Sequence, residues 1–231
     1  MSHQFKYEAL AKEMDCQIIE DKYEIYEKII DEYIGKLDKI KRLEEPEIIF
    51  TGGCYGSGKS HTIKYMFKED IISKDNYLYI DPDVIRFKLP EIGDWIKNDP
   101  WSAGEKTQLD CGFISLIIQM KVLEMGYSLI VDGSLQDDKW YGETYIPWIR
   151  NKYPLYKIKI FFVRASWQKT LERCWQRCEQ TKRCIPLSLL RSIHNKMPLS
   201  IKKLSNIVDS VLHIDNEVEP EFTTDFSLIK N

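Results

Sequence analysis

Gly53-Cys54-Tyr55-Gly56-Ser57-Gly58-Lys59-Ser60 satisfies the pattern G-x-x-x-x-G-K-[ST] at every fixed position. An apolar run, Glu47-Ile48-Ile49-Phe50-Thr51, leads into it, and a helical pattern over 61–68 follows. This strand–loop–helix setting is the context in which the pattern carries its meaning. Glycines let consecutive backbone N–H groups converge on phosphate oxygens without Cβ clashes, and the helix start adds partial positive charge. Lys59 is expected on the β- and γ-phosphates of a nucleotide, and the Ser60 hydroxyl on Mg²⁺.

Outward from the loop, four more apolar runs are expected as strands: 77–80, 128–131, 157–163 and 210–214. Helical patterns lie between them at 105–125, 166–180 and 187–204. Alternation of this kind predicts an α/β fold, a three-layer doubly wound parallel sheet covered on both faces. Ligands in such sheets sit beyond the carboxyl ends of the strands. Three of the runs end directly in an aspartate: Asp81, Asp132 and Asp215. Ahead of the first strand, residues 5–43 read as helix, with Ile18, Tyr23, Ile25, Tyr26, Ile29, Ile30, Tyr33, Ile34, Leu37 and Ile40 at helical spacing. The chain divides into an N-terminal helical flank, 1–45, and a nucleotide-binding domain, 46–231.

Composition narrows the classes. The 231 residues carry a formal charge of −3, and 43% are apolar, enough for a sizeable core and against a grip on long nucleic acid. No run of about 18 apolar residues predicts a membrane span, and residues 1–10 lack a signal-peptide core. A cytoplasmic location is expected, with the six cysteines as reduced thiols. Their spacing fits no common zinc finger. The N-K-x-D segment of GTPases is missing at both Asn151-Lys152 and Asn195-Lys196, which leaves a small ATP-dependent kinase as the favoured class.

A kinase needs a carboxylate to take the acceptor's proton and fixed positive charge around the moving phosphoryl group. Asp81-Pro82-Asp83-Val84-Ile85-Arg86 supplies both next to the loop. Asp83 is the expected base, Arg86 shares its helical face, and Asp81 is the expected cap. Asp132-Gly133-Ser134 offers a carboxylate for Mg²⁺ or substrate. The segment 157–191 is locally basic, and Arg177 and Arg183 are placed to clamp phosphate. Lys157 and Lys159 read as a solvated face.

Together these pieces resemble the zeta-toxin family of phosphate-loop kinases over about 48–216. The shared segments are G-G-x-x-G-S-G-K-S, I-D-P-D-x-I-R-x-x-L-P-E, I-V-D-G-S, R-C-E-x-x-x-R-x-I-P and Asp215-Asn216. The resemblance implies Lys59 and Ser60 on nucleotide and metal, Asp83 as base, Asp132 and Ser134 toward substrate, and Arg177 and Arg183 around the γ-phosphate. Bacterial members phosphorylate UDP-N-acetylglucosamine, so a sugar-nucleotide acceptor and an antitoxin-like regulatory protein are the implied partners. Two departures bear on the acceptor. Asp132 stands where Glu is frequent, shortening the reach by ~1.5 Å. Leu135-Gln136-Asp137-Asp138 stands where well-known members carry a basic residue. A polynucleotide 5'-hydroxyl kinase, which also pairs a strand-end Asp with an Arg three later, and a nucleotide-binding regulator without turnover are the competing readings.

Overall fold

The computed structural model describes residues 4–16 and 20–222. Six strands form one sheet: β1 (Glu47–Gly52), β2 (Leu78–Ile80), β3 (Leu129–Val131), β4 (Lys157–Arg164), β5 (Ser210–Asn216) and β6 (Pro220–Phe222). Their order is β2-β3-β1-β4-β5-β6. All pairings are parallel except β5 with β6. The five expected strands are present with ends shifted by one or two residues. β6 was not expected: three residues after a short reversal are too few to show alternation.

β1 is central and wholly buried. Its side chains alternate between faces, as strand geometry dictates. Ile48 and Phe50 join one core with Ile158 and Ile160, while Ile49 joins the other with Ile130 and Phe161. The second core is closed by Ile63 and Met66 of α3 (Lys59–Lys68). The first is covered by α7 (Gln108–Glu124) and α11 (Leu187–Leu204), so the sheet lies between two helical layers.

The N-terminal segment is not one helix. α1 (Glu8–Glu13) stops where Asp15 takes the left-handed conformation at φ 49°. α2 (Tyr23–Ile34) follows, then a 3-10 turn, Gly35–Lys39. Ile18 lies outside the described residues. Tyr26, Ile29, Ile30 and Tyr33 of α2 are buried in the same core as α7. A polar network adds to that packing: Lys22 Nζ donates to Glu91 at 2.5 Å and to Asp110 at 2.9 Å, and the Tyr26 hydroxyl donates to Asp110. The flank therefore braces the segment after β2 through Glu91.

The remaining helices are α4 (Pro82–Arg86), α5 (Ile92–Asn98), α6 (Ala103–Lys106), α8 (Asp138–Trp140), α9 (Ile146–Lys152) and α10 (Trp167–Thr181). The helix expected over 105–125 is split between α6 and α7. Thr107 leaves helical geometry, its hydroxyl donating to Ala103 O at 2.7 Å and accepting from Arg86. No helix among the described residues is long and apolar enough to cross a membrane.

Candidate active site

The loop after β1 closes on itself and on three neighbouring elements. Gly56 and Gly58 have φ of 76° and 91°, where a side chain is strained. A Cβ on Gly56 would lie 2.4 Å from Thr170 O, and one on Gly58 2.0 Å from Asn216 Nδ2. These contacts explain both glycines: α10 and the end of β5 press directly on the loop. Asn216, fully buried, donates from Nδ2 to Ser57 O at 2.9 Å. Arg173 donates to Asn216 O at 2.8 Å and to Ser57 O at 3.4 Å.

Tyr55, Gly56, Gly58, Lys59 and Ser60 line a cleft of about 270 Å³. Gly53, Cys54 and Ser57 stand behind that wall; the Cys54 thiol faces Leu190 O at 3.5 Å, and burial pushes it up to about 12. Lys59 Nζ folds back onto Gly53 O and Cys54 O, both at 3.0 Å. The first N–H groups of α3 are the free donors that every helix start leaves.

Across the cleft stand three aspartates from the ends of β2 and β3. Asp132 accepts from Thr51 Oγ1 at 3.0 Å, Ser60 Oγ at 2.5 Å and Tyr79 Oη at 2.5 Å. The sequence-expected pair Ser60 and Asp132 thus meets directly. Tyr79 and Thr51 were missed, because both read as ordinary alternating strand residues. Asp81 caps α4, accepting from Asp83 N at 2.8 Å and Val84 N at 3.4 Å. Burial, then the Asp132 and Asp83 charges, push its carboxyl up to about 6.

Asp81 therefore makes a signed prediction. Its folded value lies above the ordinary 3.8, so the folded chain holds an extra proton between 3.8 and about 6. Stability should fall as pH rises through that window. Asp81→Asn retains the cap acceptor and should flatten the slope; urea unfolding at about pH 4.5 and about pH 7 reads the difference.

Asp83 is gripped by three arginines. Arg177 Nη2 and Arg183 Nη2 both donate to its Oδ2, the latter at 2.9 Å, and Arg86 Nε approaches Oδ1 at 3.4 Å. Burial alone would raise this carboxyl, but the Arg183 and Arg177 charges, with Arg86 behind them, hold it down at about 2. Arg86 is buried and otherwise committed to the α6–α7 junction, donating to Gly104 O at 2.6 Å, Thr107 Oγ1 and Gln108 Oε1 at 2.8 Å. Its planar fork braces Asp83. Arg183 is buried, and its Nε has no partner among the described residues.

Two expectations about the basic segment are corrected. Lys159 is not on a solvated face: its Nζ pairs with buried Glu47 at 2.6 Å, and Tyr77 Oη donates to the same carboxylate at 2.8 Å. The cysteines are not all free thiols. Cys178 and Cys184 form a disulfide, because the left-handed turn at Lys182 brings the end of α10 back on itself, with 4.6 Å between the Cα atoms. Cys16, Cys54, Cys111 and Cys174 remain free.

The model of one family, described as zeta toxin, matches residues 30–222. None of the curated proteins matches the chain. Among solved structures, the PezAT chromosomal toxin–antitoxin system of Streptococcus pneumoniae is similar at 17% identity and a TM-score of 0.69, covering 93% of this chain and 88% of that one. The AvrRxo1-ORF1:-ORF2 complex with ATP is similar at 15% identity and a TM-score of 0.61, covering 94% and 70%. At such identities the structural likenesses speak for the fold. The family match spans the phosphate-binding loop, the aspartates and the arginines alike, and the chain belongs to the zeta-toxin family of phosphate-loop kinases.

Proposed function

We propose that this chain transfers the γ-phosphoryl group of ATP to a hydroxyl of a small molecule. The observation that carries the reading is Asp83, held by Arg177 and Arg183 across the cleft from the phosphate-binding loop. A carboxylate there can accept the acceptor's proton, and guanidiniums there can offset charge on the phosphoryl group in flight. The ATP-containing complex among the similar folds supports the nucleotide.

In this reading the triphosphate lies on the loop and the start of α3, with Lys59 leaving the carbonyls of Gly53 and Cys54 to meet it. Arg177 and Arg183 shift from Asp83 toward the γ-phosphate, and the unpartnered Arg183 Nε gains an acceptor. That shift also removes positive charge from Asp83 and makes it a stronger base as the acceptor arrives. Ser60 and Asp132 form an all-oxygen pair of the hard-donor type that suits Mg²⁺, and they would hold it. The ion, when bound, supplies neutralisation of the phosphate charge.

Sugar nucleotides are the acceptor class that the family resemblance suggests. A regulatory partner is supported by the two-component assemblies among the similar structures, PezAT and AvrRxo1-ORF1:-ORF2. Incubation with γ-labelled ATP and a metabolite extract, with products read by mass, tests the activity. A labelled small molecule that depends on intact Lys59 is the expected result. Label found only on nucleic-acid ends or on protein would overturn it.

A further inference from the structure

The Cys178–Cys184 bond is open to reagents in solution. Both cysteines are half-buried and line a groove of about 90 Å³ with Trp101, Leu171, Trp175, Leu187 and Leu190. None of the residues that line this groove lines the active-site cleft. Trp101, Trp175 and Leu187 are exposed, so the groove meets solvent at its edge.

The turn that carries the bond is conformationally costly. Lys182 has φ 56°, a region that residues other than glycine occupy only where their surroundings enforce it. Backbone hydrogen bonds hold the chain lightly just beyond it: Arg183 N donates to Thr181 Oγ1 at 3.3 Å, and Cys184 N to Pro100 O at 3.1 Å. The covalent link is the strongest of these restraints. The same turn presents Arg183 to Asp83, and the end of α10 presents Arg177. Positive charge also reaches the groove. Burial pushes up the thiol of Cys174, on the same wall, and the Arg177, Lys59 and Arg183 charges oppose that rise. A field of this sign stabilises a departing thiolate, and a better leaving group speeds thiol–disulfide exchange.

We propose that the Cys178–Cys184 bond is a thiol-exchange site, and that dithiols acting on it switch the arginine pair between a competent and a slack form. The switching rests on the kinase reading. One thiolate of the dithiol attacks a sulfur of the bond, the S–S bond breaks, and the released sulfur takes a proton from water. The second thiolate then attacks the mixed disulfide, the reagent leaves as a cyclic disulfide, and the other cysteine is protonated in turn. Two electrons pass to the protein, and the dithiol is oxidised. In the reduced chain Lys182 is free to return to right-handed backbone, and Arg183 loses the placement that the γ-phosphate requires.

The test equilibrates the full-length protein in buffers of reduced and oxidised dithiothreitol. Alkylation after denaturation, read by mass, should label four cysteines before reduction and six after. Reduction should weaken binding of a non-hydrolysable ATP analogue about tenfold and leave ADP binding unchanged, since ADP lacks the phosphate that the two arginines meet. Linkage makes the effect reciprocal: the analogue should move the midpoint of the bond about 30 mV more negative, the two-electron equivalent of tenfold, and ADP should not. The double variant Cys178→Ser, Cys184→Ser should bind like the reduced chain and ignore dithiothreitol; if it does not fold, the midpoint shift in the unsubstituted protein still decides. Equal analogue affinity in both redox forms, or equal midpoints with the analogue and with ADP, would overturn the proposal. So would a bond that dithiothreitol breaks only in denaturant. Failure of the kinase reading shows separately: neither redox form releases ADP with any acceptor.

Discussion

Asp83→Asn is expected to lower phosphoryl transfer by ~10²–10⁴-fold, the range for loss of a general base, with ATP affinity retained. Asparagine keeps the shape of the side chain and its hydrogen-bond acceptor toward Arg183 and Arg177 but cannot take a proton. It also removes the ionic part of the attraction that holds the two guanidiniums on residue 83 in the unsubstituted chain, so they leave it more readily. Binding of the triphosphate should therefore hold or tighten. Isothermal titration with a non-hydrolysable ATP analogue, beside steady-state transfer rates, separates the two effects; parallel loss of binding and turnover would contradict the role assigned here. The same variant has a signature in acid. Because the folded value of Asp83 lies below the ordinary 3.8, at about 2, its carboxylate stabilises the fold above that range, and this contribution is lost as pH falls through about 2. Asp83→Asn should lose this part of the acid dependence.

Arg183→Ala is expected to cost more, ~10³–10⁵-fold in kcat, as for other arginines that stabilise phosphoryl transfer. Arg183 is buried where Arg177 is 39% exposed, so its charge acts through less water and should dominate the pair. Arg183→Lys should recover only part of the loss, since a point charge cannot reproduce the planar fork. The pH profile provides a second readout. With Arg183 gone, one of the charges depressing Asp83 is gone, so the acidic limb of kcat/KM should move to higher pH. An unshifted limb with a normal fold would mean that Arg183 acts on phosphate alone.

The fold was legible because its decisive features are local. Eight residues named the loop, and short apolar runs between helical patterns placed the sheet around it. Even α11 was located end to end, since its apolar spacing is regular over 187–204. What escaped depends on distance in the chain. Nothing near Lys159 announces Glu47, which lies 112 positions away on the neighbouring strand. Tyr79 sits in a strand where any residue of alternating polarity would do, and its link to Asp132 exists only once β2 and β3 are adjacent. Arg86 was placed on the Asp83 face correctly, but its partners at Gly104, Thr107 and Gln108 belong to a helix break that helical periodicity smoothed over. The Cys178–Cys184 bond was missed for a related reason: composition suggests a compartment, while pairing is decided by a single left-handed residue.

That bond joins the immediate neighbours of Arg177 and Arg183, the two arginines on Asp83 Oδ2. Arg177 directly precedes one end of the tether, and Arg183 directly precedes the other. The end of α10 and the turn after it are thereby closed into a small ring, which fixes the backbone positions from which both side chains extend. A triphosphate entering the cleft would thus meet two guanidiniums projecting from one closed segment of chain, their separation at the backbone already set before it arrives.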